Sequence, residues 1–191
     1  MTSEHEEYIV GMLRGGYMTA AEIADAVVEA EMDDTPSADQ LVSVVRTSME
    51  DRRRRLEGAG ASSYERLRRA FDQLAQSGVL ARENYQCCQT CAYAAVDEEI
   101  AEAVDRGEAV RGYVLFHSQD TERAVDSGIL LLRYGGSNLD PELQGAAASQ
   151  TIGEEICAVL KAAEFEPVWS GSPDESIRVP IVWDKRPPPE G

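Results

Sequence analysis

Apolar residues recur at helical spacing through the first 78 positions, then give way to short unbroken apolar runs. Tyr8, Ile9 and Met12 fall on one face of a short helix over residues 4–13, which Gly15-Gly16 end. Thr19-Ala-Ala-Glu22 is a capping-box pattern ahead of Ile23, Ala26, Val27 and Ala30, and the acidic turn Asp33-Asp34-Thr35-Pro36 closes that helix. Ser37-Ala-Asp-Gln40 opens another, with Leu41, Val44, Val45, Ser48 and Met49 on one stripe, ended by Gly58-Ala-Gly60. Ser62-Ser-Tyr-Glu65 starts a fourth, with Leu67, Ala70, Phe71, Leu74 and Ala75 inward, and Gly78 fits the position just past its end.

From Val79 the pattern predicts strands. Val79 to Tyr85 reads as one, Cys91 to Arg106 as a helix, and Val110 to Phe116 as a second strand. Tyr113 to Phe116 are four large residues in a row, so this strand is expected to be buried on both faces. Apolar character stops at His117, and Ser118 can cap a short helix carrying Gln119, Asp120 and Glu122 in its first turn. Ile129 to Tyr134 is a further buried strand, Gly135 to Ser149 a loop and Thr151 to Ala163 a helix. Glu166 to Trp169 and Ser176 to Trp183 then read as an antiparallel pair that sets Trp169 and Trp183 on adjacent strands. About eleven residues separate His117 from Ile129, short for a parallel crossover. The expected fold is α+β, a mixed, mostly antiparallel sheet with helices on one face, preceded by a helical N-terminal segment. The expected organisation is a helical segment over 1–78, an α+β domain over 79–184 and a disordered tail over 185–191.

A resemblance attaches to the same central stretch. Gly112-Tyr113, Phe116-His117, Gln119-Asp120-Thr121-Glu122 and Ala124-Val125 resemble the signature of a bacterial domain-of-unknown-function family. Ile152-Gly153-Glu154-Glu155-Ile156, Phe165 to Gly171, Ile177-Arg178-Val179 and Trp183 are similar to that family's C-terminal half, so the likeness spans roughly residues 78–186. The resemblance implies grouping and no catalytic residues. Where many members of that family have a Gly- and Asn-rich turn, this chain has Cys87-Cys88-Gln89-Thr90-Cys91.

Charge narrows the partners. The chain carries 35 Asp plus Glu against 18 Lys plus Arg, a net −17. Such a field repels nucleic acid and anionic lipid and steers a basic protein toward the surface. Arg52 to Arg55 do not change this, because four consecutive helical residues wrap most of the circumference and acidic residues flank them. Ala21-Glu22-Ile23-Ala24 and the helix-to-strand passage at Val79 to Arg82 are similar to winged helix-turn-helix patterns, but the acidic balance argues against DNA. No window approaches a membrane span and no basic segment precedes an apolar one, so a cytoplasmic chain with free thiols is expected.

The candidate chemistry lies at Cys87, Cys88, Cys91, His117, Gln119 and Asp120. Cys88-Gln-Thr-Cys91 has dithiol spacing just before a helix. Thr90 as N-cap would put Cys91 in the first turn, where amide donors and the dipole favour a thiolate. Three thiolates plus His117 would number four ligands for zinc. Against that, adjacent cysteines on an extended chain point to opposite faces, and no second Cys pair completes a ribbon. Cys87 and Cys88 could also be small buried residues at a strand end, and Cys157 reads as core. His117 reads as a structural residue, a base oriented by Asp120, or a partner of Cys91. Gly135-Gly136-Ser137-Asn138 lacks the Lys of a phosphate loop. The sequence therefore leads first to a non-enzymatic interaction or regulatory module with a protein partner. A thiol- or zinc-dependent protein using Cys88, Cys91 and His117 comes second, and an immunity-type inhibitor of a basic partner third.

Overall fold

The computed structural model describes residues 1–57, 62–137 and 145–189. They form two compact units, residues Met1–Ser63 with Trp183–Gly191, and Tyr64–Val182.

The first unit holds α1 (Ser3–Gly15), α2 (Ala20–Glu29) and α3 (Ala38–Leu56). Two of the three expected capping boxes, those of α2 and α3, form: the Thr19 N–H donates to Glu22 Oε2 at 2.7 Å, and the Ser37 N–H to Gln40 Oε1 at 3.1 Å. Another, which the sequence pattern does not announce, has Thr2 capping α1 with His5 as its reciprocal partner. His5 is fully buried. Its Nδ1 accepts from the Thr2 N–H at 3.2 Å, and its Nε2 lies 3.2 Å from Thr35 Oγ1, whose own proton goes to the Met32 carbonyl. That chain of donors fixes the Nε2–H tautomer. Ile9, Leu13, Ile23, Val27, Leu41, Val45 and Met49 make the core of this unit.

Residues 185–189, expected as a disordered tail, continue from Trp183 along these helices. Trp183 Nε1 donates to the Gly15 carbonyl at 3.1 Å, and Asp184 accepts from Ser62 Oγ at 2.6 Å and the Ser63 N–H at 2.9 Å. Arg52 donates to the carbonyls of Arg14 and Lys185, Arg53 to that of Pro188, and Lys185 sits 4.4 Å over the Tyr17 ring. Two residues of the arginine run thus bind backbone carbonyls, which a proline-rich segment leaves without internal partners. The Gly58-Ala-Gly60 stop lies outside the described residues.

The second unit runs α4 (Ser63–Gln76), β1 (Val79–Arg82), α5 (Gln89–Asp105), β2 (Gly112–Leu115), α6 (Ser118–Ser127), β3 (Ile129–Gly136), α7 (Ala146–Ala162) and β4 (Ile177–Pro180). Its sheet has the order β1-β2-β3-β4, with β1 and β2 parallel and the other two pairs antiparallel. This is the expected α+β fold with a mixed, mostly antiparallel sheet.

Alternation assigns the faces. Gly112, Val114, Tyr134 and Gly136 share one face, where a Cβ on Gly136 would meet Ala148 of α7 at 2.5 Å and one on Gly112 would meet Ile152 at 2.8 Å. Phe71 of α4 reaches the same face, its ring 5.7 Å from Phe116. Tyr113, Leu115 and Arg133 share the other, where Leu115 packs with Ala92 and Val96 of α5. Helices therefore lie against both faces and not the one expected from the sequence, because β2, an unbroken apolar run, needs cover on each side.

The C-terminal pair is shorter than its apolar pattern. Glu166 to Trp169 contributes one bridge, Val168 to Arg178, and Trp183 leaves the sheet for the first unit. Among the described residues no helix is long and apolar enough to cross a membrane.

Candidate functional site

The parallel pairing of β1 and β2 brings both strand ends to one edge of the sheet, and there the chain between β1 and α5 turns sharply. Asn84 and Gln86 adopt left-handed backbone, with φ of 46° and 62°. The turn is pinned to α6. The Tyr85 N–H donates to the Phe116 carbonyl at 2.8 Å, and Ser118 gives both its N–H and its hydroxyl to the Gln86 carbonyl, at 3.1 and 3.0 Å. Thr121 Oγ1 donates to Asn84 Oδ1 at 2.8 Å. Behind the turn, Arg82 and Tyr85 both bond Glu99 of α5, which fixes that helix to the strand.

Cys88, not Thr90, holds the N-cap position of α5, with extended backbone at φ −151° and ψ 171°. Cys91 is therefore the third residue of the first turn. The sulfurs of Cys87, Cys88 and Cys91 all lie within 4.8 Å of one another. Cys87 and Cys91 are exposed and Cys88 is half-buried, so none of the three is a core residue. The extended-chain objection to a shared ion fails because extended backbone at Cys88 alone, set between a left-handed residue and a helix start, does not keep the three sulfurs apart. Two left-handed residues just upstream and a helix start just downstream fold adjacent side chains to one side.

The thiols differ in acidity. The Cys91 backbone N–H, followed by the neighbouring thiols of Cys91 and Cys87, holds Cys88 below the ordinary thiol value, although no cap hydrogen bond to its side chain is fully closed. Hydrogen bonding to Cys88 and Cys87 and their developing charge push Cys91 up to about 11. Cys88 thus takes the acidic position expected for Cys91.

His117 belongs to a different cluster. It is the N-cap of α6 and, with Asp120, is almost wholly buried. The His117 N–H donates to Asp120 Oδ2 at 3.3 Å, which rigidifies the first turn. Its Nε2 lies 3.1 Å from the same oxygen without the alignment of a hydrogen bond, and Nδ1 has no partner. Burial first, and Arg133 next to it, lower the imidazole's pKa, with Asp120 opposing. Arg133 of β3 donates to both Asp120 oxygens, at 3.0 and 3.4 Å, and to Ser176 Oγ at 3.0 Å. Sequence reasoning missed Arg133, though a single charge inside the apolar run Ile129–Tyr134 marks it.

Among the described residues, the thiol trio is the grouping of potential ligands close enough to share an ion, and His117 is not in it. Gln119 is exposed, and Cys157 is buried with its thiol pushed up by desolvation. Gly135 and Gly136 lie within β3 and Ser137 donates to the Val110 carbonyl, so these residues do not form a helix-capping phosphate loop. Asn138 lies outside the described residues.

A family model described as a domain of unknown function (DUF6891) matches residues 1–187, a span that reaches across both units. No curated protein and no solved structure matches the chain.

Proposed function

The chain belongs to the domain-of-unknown-function family DUF6891, and we propose that it is a non-enzymatic regulatory module that binds a soft metal ion, of the zinc class, through Cys87, Cys88 and Cys91. The observation that carries this is the approach of three exposed or half-exposed sulfurs to within 4.8 Å. A tetrahedral zinc–thiolate centre, with bonds of about 2.3 Å, sets its sulfurs roughly 3.8 Å apart. Side-chain rotation alone can close the difference, because the three residues share one turn. Thiolates select zinc or cuprous ion over magnesium and calcium. The start of α5 adds a favourable field for the anionic ligands.

Three protein ligands leave one position open on a four-coordinate ion. Water or a ligand from a partner fills it. Beyond the thiols, the exposed side of α5 carries Asp97, Glu98, Glu102 and Asp105 along its length toward the C-terminal end, so a basic protein partner suits this helix. Such an association weakens steeply from low to physiological salt, and binding indifferent to salt would count against it. Unpaired thiols suit a reducing compartment, the cytoplasm.

The test is equilibrium dialysis of the reduced full chain against zinc, followed by elemental analysis. One zinc per chain is expected, with stoichiometric loss in the Cys87→Ser/Cys88→Ser/Cys91→Ser triple variant and retention in His117→Gln. Zinc retained by the triple variant would place the ion elsewhere.

A further inference from the structure

We infer that Cys88 and Cys91 close reversibly to a disulfide with small-molecule disulfides as the oxidant, and that closure removes the metal site. The loss of metal rests on the proposed metal site, while the disulfide itself stands on the geometry of the turn.

Cys88 and Cys91 are three residues apart across the start of α5, a spacing that brings helical neighbours within about 5–6 Å at their Cβ atoms. A disulfide needs a Cβ separation nearer about 3.5–4.5 Å. Cys88 can supply the difference because its backbone is extended and not yet helical, so its side chain can swing over the first turn without unwinding it. The sulfurs already lie within 4.8 Å, and Cys91 is exposed to a soluble reagent. Cys87 is the weaker candidate for either bond. A bridge to the adjacent Cys88 would close a small ring containing a peptide unit that resists leaving planarity. A bridge to Cys91 would leave Cys88 trapped between them. Cys157, buried in α7, is not in the cluster.

The chemistry balances with glutathione disulfide as the co-reactant. One protein thiolate, of Cys88 or Cys91, attacks a glutathione sulfur, forming a mixed disulfide and releasing one glutathione thiolate. The second protein thiolate, its proton passed to solvent, attacks the protein sulfur of that mixed disulfide. The Cys88–Cys91 bond forms and the second glutathione leaves. The dithiol loses two electrons, one disulfide is reduced to two thiols, and two of the three metal ligands are consumed. A single remaining thiolate, Cys87, cannot hold the ion.

The experiment uses the full chain freed of metal by a chelator and incubated with oxidised glutathione at mildly alkaline pH. Free thiols are counted, the linkage is mapped by peptide mass spectrometry, and zinc binding is measured before and after. The count should fall from four to two with a Cys88–Cys91 crosslink, return to four on reduction, and zinc should bind the reduced form alone. Cys88→Ser and Cys91→Ser should each stop at a glutathione mixed disulfide, while Cys87→Ser should close as the unaltered chain does. A crosslink through Cys87 or Cys157 would overturn the inference. So would persistent mixed disulfide on the unaltered chain, or oxidised protein that still binds zinc. If the disulfide closes while the reduced chain binds no metal, the dithiol couple stands and the metal site falls. Metal binding without closure would sustain the metal site and overturn the couple.

Discussion

Arg133 on β3 holds the buried Asp120 carboxylate of α6 through two hydrogen bonds, 3.0 and 3.4 Å long, and so joins a helix to the sheet beside the turn that carries the thiols. The carboxylate is almost fully buried and its only counter-charge of permanent sign among the described residues is this guanidinium, so removing Arg133 strands a charge. Arg133→Met should destabilise the second unit by about 3 kcal/mol, the low end for a broken buried pair because the arginine keeps some solvent contact. The Asp120→Asn/Arg133→Met double variant should lose less than the two single variants combined. Urea denaturation of the four proteins measures it, and simple additivity would show that the pair is not coupled.

His117 predicts a pH dependence with a definite sign. Burial, more than any neighbour, keeps the folded imidazole below its ordinary value, while the unfolded residue titrates near about 6.5. Between those two values the unfolded chain binds a proton that the folded chain refuses. Stability is complete above the ordinary value and falls as pH drops through this window. The urea midpoint should therefore decline as the pH is lowered from about 7 through the ordinary imidazole value, and decline less in His117→Gln. An identical slope in the two proteins would assign the acid sensitivity to other groups.

Two glycines should respond in opposite ways to alanine. A Cβ on Gly112 would lie 2.4 Å from the Gly135 carbonyl oxygen and 2.8 Å from Ile152 Cγ1, on backbone that the β2–β3 ladder holds in place. Gly112→Ala should cost about 3 kcal/mol or more, at the upper end of overpacking. Gly11 sits inside α1 with nothing within 4 Å of the added methyl, so Gly11→Ala should gain about 0.5–1 kcal/mol. Thermal melts followed by circular dichroism would separate the two.

The local grammar of this chain is legible where residues act on near neighbours. Thr19 with Glu22 and Ser37 with Gln40 announce helix starts, and Tyr113–Phe116 announces a strand covered on both faces. What escapes the sequence depends on distant contacts or on backbone that few residue types advertise. His5 reads as a terminal residue, yet Thr35, thirty residues on, completes its hydrogen bonds. Trp183 has strand-like neighbours but ends against Gly15. The face that each helix covers emerges only from the register of β2 on β3. At the candidate site, the three cysteines are visible by spacing. Their convergence is not, because it needs left-handed backbone at Asn84 and Gln86, neither of them glycine. Joining His117 to the thiols follows from the shared sheet edge, and the Ser118–Gln86 bonds do tie the two connections together. The imidazole nevertheless turns to Asp120 and Arg133, where burial and a carboxylate outcompete a surface cluster.

The most direct measurement of the metal site is the absorption spectrum of the reduced chain titrated with cobalt, a zinc surrogate whose spectrum reports its ligands. Three thiolates and one open position predict intense sulfur-to-metal charge-transfer bands, saturation at one equivalent, and visible bands of tetrahedral strength. The charge-transfer intensity should fall stepwise as Cys87, Cys88 and Cys91 are replaced singly and then together by serine, and should be untouched in Cys157→Ser. Weak octahedral bands without charge transfer, or full intensity in the triple variant, would contradict the assignment of Cys87, Cys88 and Cys91 as the metal ligands.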